Sequence, residues 1–168
     1  MEIMDSCIAV REIPNYNGNY LIDELGRVWN NRGKLLNIQL GSHDYLQCCL
    51  YLNNKRKVWR IHLLMKQVFF PSGKYELDHA DTNKHNNSLA NLRIATHGQN
   101  SMNRSPILHK SRFKGVTPKR GHWMARVKFN GKYTYLGEFT SEEDAAKAYD
   151  KKARELFGEF AFLNFSEE

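Results

Sequence analysis

The chain has 168 residues, 41% of them hydrophobic, and a formal net charge of +7. That length admits one domain or two small ones, and the charge points to an anionic partner. No apolar run approaches the ~20 residues of a membrane span. Cys7, Cys48 and Cys49 are odd in number, include an adjacent pair and lack a CxxC spacing. They argue against a disulfide framework and a zinc site, and read as small buried apolar residues in a reducing compartment. The N-terminus, MEIMDSCIAV, is acidic and has no signal-peptide pattern, so a cytoplasmic protein is expected.

From Ala9 to Leu36, Asn17-Gly18, Leu25-Gly26 and Arg32-Gly33 punctuate short alternating segments, which predicts small hairpins. Tyr45 to Ile61 continues as strands, with an Asn53-Asn54 turn between YLQCCLYL and KVWRI. Leu63 to Phe70 reads as a short helix stopped by Pro71. His62, between strand and helix, is expected to be a structural hydrogen-bonder that supports a nearby site.

The stretch Glu76 to Arg104 carries the chemistry. An apolar run closes on Asp78-His79, and an asparagine-rich loop follows from Ala80 to Ala90. Asn91 opens a second short strand, Asn91-Leu92-Arg93-Ile94-Ala95. Thr96 with Gln99 three positions on has the spacing of a capping box, and the helix it starts places Asn100 and Asn103 on one face. This order of residues resembles the HNH nuclease motif, and the phosphodiester hydrolysis that such a motif implies needs a nucleophilic water, a base and positive charge at the phosphate. Imidazole suits the base, since its ordinary pKa of about 6.5 leaves it largely neutral at pH 7, and His79 is the candidate. Asp78 carboxylate and Asn100 amide oxygen are hard donors of the kind that favour Mg or Mn over zinc. His85 and His97 read as solvent-facing.

Strand, loop, strand and helix, with Asp78-His79, Asn91 and Asn100 at the corners, resemble the HNH nuclease motif, a ββα-metal site. They look most like the HNN variant of phage-intron homing endonucleases. Asn83, Asn86, Asn87 and Leu92-Arg93 fit the same pattern. The resemblance implies His79 and Asn91 as catalytic residues, Asn91 by holding the Asp-His loop and orienting His79. It implies Asp78 and Asn100 as metal ligands, with His62 and Asn103 supporting. Many family members have histidine where Asn100 stands, a departure that makes nicking of one strand plausible. IPNYNGNYLIDELGRVWN resembles a module that often precedes such nucleases in phage proteins, and IHLLMKQVFFP the segment before the Asp-His strand.

From Thr82 to Gly137 there is no Asp or Glu, while lysines and arginines recur from Lys84 to Lys132. A single-sign field that starts at a candidate nuclease site reads as a nucleic-acid track. SPILHK, residues 105–110, is the expected linker. Beyond it, HWMARVKFNGKYTYLGEF predicts a hairpin on the type I′ dipeptide Asn130-Gly131. A helix follows, capped by Ser141 and stopped at Gly158. Alternation sends Ala125, Val127 and Phe129 to one face, and places Lys128 opposite Tyr133 and Arg126 opposite Tyr135 on the other. FKGV, WMARVKF, YLGEF, EEDAAKAYDKKA and LNF resemble the Apetala/ethylene-response-factor domain, a three-stranded sheet on one helix that lies in the DNA major groove. The resemblance puts DNA contacts at Lys114, Lys119, Arg126, Lys128, Tyr133 and Tyr135, with Arg120 alongside. Several family arginines are lysine or tyrosine here, which weakens bidentate readout of guanine but not phosphate anchoring.

The expectation is an α+β chain: residues 1–104 an HNH nuclease unit with N-terminal hairpins at 9–36 and its core at 58–104, then the linker and a DNA-binding domain at 111–168. It is read as a monomeric, metal-dependent DNA endonuclease of homing type, acting on double-stranded DNA with Mg or Mn. The alternative is a sequence-specific DNA-binding regulator with an inactive HNH fold.

Overall fold

The computed structural model describes residues 8–104 and 111–165, so Cys7 and the expected linker at 105–110 lie outside the described residues. The fold is α+β, built of small antiparallel sheets and few helices. It divides into two compact units, one ending at Ala95 and the other beginning at Thr96.

The first unit opens with β1 (Val10–Glu12), β2 (Tyr20–Asp23) and β3 (Val28–Asn30), an antiparallel meander. A second sheet follows from β4 (Gln39–Leu40), β5 (Leu46–Leu52) and β6 (Lys55–Arg60). The β5–β6 turn uses Asn53 and Asn54, both with positive φ (48° and 59°), as a two-residue hairpin requires. Helix α1 (Ile61–Phe69) springs directly from β6, two residues earlier than expected. It ends because Pro71 holds Phe70 in extended backbone (φ −110°, ψ 152°). Strands β7 (Glu76–His79) and β8 (Leu92–Ala95) then pair, with Asp78 opposite Arg93 and His79 opposite Leu92.

One apolar cluster joins these pieces: Ile13, Ile22 and Val28 from the meander, Leu50 from β5, Ile61, Leu64 and Met65 from α1, and Leu77 and Leu92 from β7 and β8. The N-terminal meander therefore shares its core with the strands that carry Asp78 and His79. Trp59 Nε1 donates to Tyr16 Oη at 2.6 Å and ties the two sheets together. Cys48 is buried as expected, but Cys49 is half-exposed and its sulfur accepts from Arg56 Nε and Nη2 at 3.2 and 3.0 Å.

The second unit begins with α2 (His97–Met102), entered through a complete capping box. Thr96 Oγ1 accepts from Gln99 N, and Gln99 Oε1 accepts from Thr96 N, a pairing that contributes about 1 kcal/mol. The three-stranded sheet, in order β11-β10-β9, comprises β9 (Val116–Lys119), β10 (His122–Phe129) and β11 (Lys132–Phe139). Its tight turn has Asn130 and Gly131 at φ 48° and 79°, and the register pairs Lys128 with Tyr133 and Arg126 with Tyr135. Ala125 and Val127 are buried against α3 (Glu142–Phe157), whose Ala145, Ala146, Tyr149, Ala153 and Phe157 form the facing stripe. The buried Asp150 carboxylate accepts from Asn164 N and Nδ2 and from Phe165 N, and Asn164 Oδ1 accepts from Lys114 N at 2.6 Å. Those bonds pin the closing segment across the start of the sheet.

The unit boundary falls nine residues before the one expected at Arg104. Two contacts account for it: Met102 packs into the cluster of Val127, Tyr149, Ala153 and Phe157, and the Lys114 ammonium donates to Met102 O and to Arg104 O. Among the described residues no helix is long and apolar enough to cross a membrane.

Gly115 sits at φ +79°, where a Cβ would stand 2.0 Å from Tyr149 Cδ2 and 2.8 Å from Arg126 O. Gly115→Ala is therefore expected to destabilise the second unit by more than about 3 kcal/mol, read as a fall in its urea midpoint.

Candidate active site

The asparagine-rich loop between β7 and β8 is built around its own side chains. Asp81 accepts from Asn83 N at 2.8 Å, from Asn86 Nδ2 at 2.8 Å and from Asn91 Nδ2 at 2.9 Å. Asn91 also donates to Asn86 O at 2.8 Å and accepts from Asp81 N at 3.1 Å, while its carbonyl accepts from Ala80 N. Asn91 thus staples the two ends of the loop. A segment with few apolar side chains is held in one shape because its amides satisfy its backbone.

His79 stands at the end of β7, only 6% exposed. Asn87 lies against its ring, with Oδ1 3.3 Å from His79 Nε2. The Asn87 amide is oriented by its nitrogen, which faces two carbonyls, Lys84 O at 3.4 Å and His85 O at 3.2 Å. A carbonyl can only accept, so Nδ2 belongs there and the oxygen faces the histidine. That oxygen can only accept in turn, so Nε2 carries the hydrogen and the lone pair of the neutral ring lies on Nδ1. Burial pulls the His79 pKa below its ordinary value, against the Asn87 hydrogen bond and the Asp81 and Asp78 carboxylates, which favour the charged form. The ring is therefore neutral at pH 7.

Asp78, one residue earlier and 4% exposed, receives both Arg93 Nε (2.9 Å) and Arg93 Nη2 (2.8 Å) on Oδ2 from the facing strand. This charge-assisted pair orients the carboxylate. The His62 ring lies 5.5 Å from the His79 ring, edge-on, and 4.7 Å from that of Tyr45. It departs from the sequence expectation of a structural hydrogen-bonder at one nitrogen: among the described residues its buried Nδ1 has no hydrogen-bond partner. Its ring packs against those of Tyr45 and His79. Burial, then the neighbouring His79 and Arg60, push its pKa down to about 4. His85 is exposed and paired with Asp44 at 3.0 Å.

Asn100 and Asn103 lie on and just after α2 in the second unit, Asn100 half-buried and Asn103 at the helix C-cap with its N–H on Gln99 O. Among the described residues no group of three or more His, Cys, Asp or Glu stands together to hold a metal ion. Taken singly, the Asp78 carboxylate and the Asn100 amide oxygen are hard donors of the kind that Mg takes alongside water and phosphate oxygen.

The second unit presents a separate surface. Arg126 and Lys128 are exposed on β10, with Arg126 Cζ 4.7 Å and Lys128 Nζ 5.4 Å from the Tyr133 ring centroid. Tyr133 and Tyr135 are 60% and 58% exposed. A groove of about 700 Å³ between α2 and the sheet is lined by His97, Ser101, Thr117, Arg126, Lys128 and Tyr133, among others. His97 and Arg120 are exposed, Arg120 in the β9–β10 turn at φ 49°. Two of the expected DNA-contacting lysines are otherwise engaged. Lys114 is half-buried on the carbonyls of Met102 and Arg104, and burial brings its pKa down to about 8. Lys119 is paired with Glu138.

From the sequence alone Asn87 has no role beyond fitting a pattern, and neither Asp81 nor Tyr45 stands out. Arg93 could have been placed on Asp78 by counting register across the two strands; Asn87 is one asparagine among several, and only its geometry distinguishes it.

This geometry has counterparts among known proteins. Residues 70–102 match the family model of HNH endonucleases. An uncharacterized HNH endonuclease of Acanthamoeba polyphaga mimivirus is 39% identical over 104 residues, 62% of this chain and 54% of that protein. The APETALA2-like protein 2 of Oryza sativa subsp. japonica is 47% identical over 58 residues, 33% of this chain and 13% of that protein. Among solved structures, the HNH homing endonuclease I-HmuI, titled for DNA binding and cleavage, matches with a TM-score of 0.53 at 31% identity over 56% of each chain. The likeness to HNH endonucleases thus centres on residues 70–102, and the chain spans about half of the viral relative's length and much less of the plant one's.

The buried ring of His62 sets a stability test. Its folded-state pKa near 4 lies below the ordinary 6.5, so the folded chain binds fewer protons than the unfolded one between those values. Stability from this group is fully present above pH 6.5 and is lost as pH falls through 4, by on the order of 2–3 kcal/mol. Urea midpoints measured from pH 7 to 4 should fall less steeply in His62→Phe than in the wild type.

Proposed function

We propose that the chain is a DNA endonuclease of homing type that nicks or cuts duplex DNA by hydrolysing a phosphodiester bond, with His79 as general base. The family match at residues 70–102 and the likeness to a homing endonuclease support a DNA nuclease. One observation carries the choice of base: a buried, neutral imidazole whose Nε2–H is committed to Asn87. The water that attacks phosphorus gives its proton to Nδ1 of His79. Asn91 holds the loop from which the ring projects, and Arg93 keeps the Asp78 carboxylate aimed.

Asp78 and Asn100 are the proposed holders of a divalent cation, Mg or Mn. When bound, that ion supplies the positive charge that a pentavalent phosphate requires. The second unit, in this reading, is an Apetala/ethylene-response-factor-like domain that docks on double-stranded DNA. Arg126, Lys128, Tyr133 and Tyr135 are its contact face, cations and rings side by side on an exposed sheet.

The test is cleavage of supercoiled plasmid with Mg or Mn against EDTA. Metal-dependent open circles or linear product are expected, and His79→Ala should slow their formation by about 10²–10⁴-fold while leaving DNA affinity intact. Cleavage that survives in His79→Ala would overturn the assignment of the base. Tight binding with no cleavage in either metal would instead favour the DNA-binding regulator. For the second unit, Arg126→Ala or Lys128→Ala should weaken DNA binding and flatten the slope of log affinity against log salt by roughly one unit per phosphate that is no longer neutralised. An unchanged slope in both would remove the sheet as the docking face.

A further inference from the structure

The first unit contains a contact that the endonuclease reading does not use. The turn after β2 is tightly bonded: the Asp23 carboxylate, 1% exposed, accepts from Leu25 N (3.0 Å), Arg27 N (2.9 Å) and Arg27 Nε (2.6 Å), and Asp23 O accepts from Gly26 N. Gly26, at the apex, has φ +78° and lies directly on the Asn87 side chain. A Cβ placed on it would stand 3.0 Å from Asn87 Cβ, 3.0 Å from Ile61 Cγ2 and 3.2 Å from Asn87 O. Beside it, Leu89 N donates to Glu24 O at 2.7 Å, so the turn and the loop are joined by backbone as well. The turn thus bears directly on the residue that faces His79.

We propose that the turn Asp23–Arg27 is a positioning element of the active site, with Gly26 bracing Asn87 and Asn87 fixing the tautomer and direction of the His79 ring. This role rests on the reading of His79 as the base. It explains why the chain needs glycine at 26 for two separate reasons. The backbone is left-handed there, and the space a side chain would occupy is already taken by Asn87 and Ile61. It also gives the N-terminal meander a part in catalysis. The meander is the outer wall that keeps a loop of small polar side chains from shifting by the few tenths of an ångström that would release Nε2. Displacement on that scale matters because proton transfer depends on the base lying within hydrogen-bond reach of the water. Gly26 and Asn87 touch no reacting atom in this scheme; both act through His79.

Gly33 supplies the control. Its φ is +75°, close to that of Gly26, yet among the described residues a Cβ there meets nothing within 4 Å. Gly26→Ala and Gly33→Ala carry like backbone strain, and only the first presses on the loop. The full chain in each form is compared by plasmid cleavage, by DNA affinity and by the imidazole ¹⁵N shifts of His79. Gly26→Ala is expected to lose at least tenfold in kcat, with KM and DNA affinity within about twofold, and to move the ¹⁵N pattern from one tautomer towards a mixture. Gly33→Ala should stay within about twofold of the wild type in every readout. Equal rates in the two variants, or an unmoved His79 pattern in Gly26→Ala, would overturn the proposal. Should Gly26→Ala fail to fold, Asp23→Asn loosens the same turn without adding an atom at 26, and the same two outcomes decide. If the wild type cuts no DNA, the endonuclease reading fails, while the ¹⁵N pattern still decides whether the turn fixes His79.

Discussion

A neutral imidazole works as a base only from the nitrogen that lacks the proton, so the surroundings must choose that nitrogen in advance. For His79, the proposed base, that choice passes through one amide. Asn87 presents nitrogen to the carbonyls of Lys84 and His85 and oxygen to His79, and reversing it would set acceptor against acceptor on one side and donor against donor on the other. The Asp81–Asn91 staple keeps the loop closed around that amide, and the meander's turn lies against its outer side. Strand β7 fixes where His79 starts, but the loop fixes what the ring can do.

Features set by neighbours in sequence were legible in the sequence itself. Thr96 and Gln99 cap a helix because the spacing alone brings side chain to backbone, and Asn130-Gly131 turns a hairpin because both residues tolerate positive φ. Alternation on β10 then placed Arg126 and Lys128 outward correctly, and the register opposite Tyr135 and Tyr133 followed from the turn. Asp78-His79 stood out as an ionisable pair at a strand end. What could not be read were the consequences of packing. Nothing local distinguishes Asn87 from Asn83 or Asn86, and its role depends on where Lys84 O and Gly26 come to rest. Likewise the unit boundary depends on Met102 entering a distant core, a fact that helix propensity does not contain.

The basic composition also divides in a way that counting cannot reveal. Arg93 and Lys114 spend their charge internally, on a carboxylate and on backbone carbonyls, and Lys119 and Arg112 pair with glutamates of their own unit. Arg126 and Lys128 have tyrosine beneath them and are exposed. A net charge of +7 therefore overstates the field a polyanion meets at some places and understates how concentrated it is at others. The positive field of the second unit is better judged from one face of one sheet than from the charge of the whole chain.

The attachment of α2 to the second unit bears on how such chains can be recombined. A natural crossover or an engineered chimera that joined a new C-terminal module at residues 105–110, the place that composition suggests, would leave α2 behind without the Lys114 ammonium over its last carbonyls and without a pocket for Met102. A seam placed between Ala95 and Thr96 instead moves the helix, its cap and Asn100 as one portable cassette. That seam would also cut the stretch 70–102 that matches the HNH family and part Asn100 from Asp78, its proposed co-ligand, so a working exchange has to keep α2 with the sequence on both sides of it.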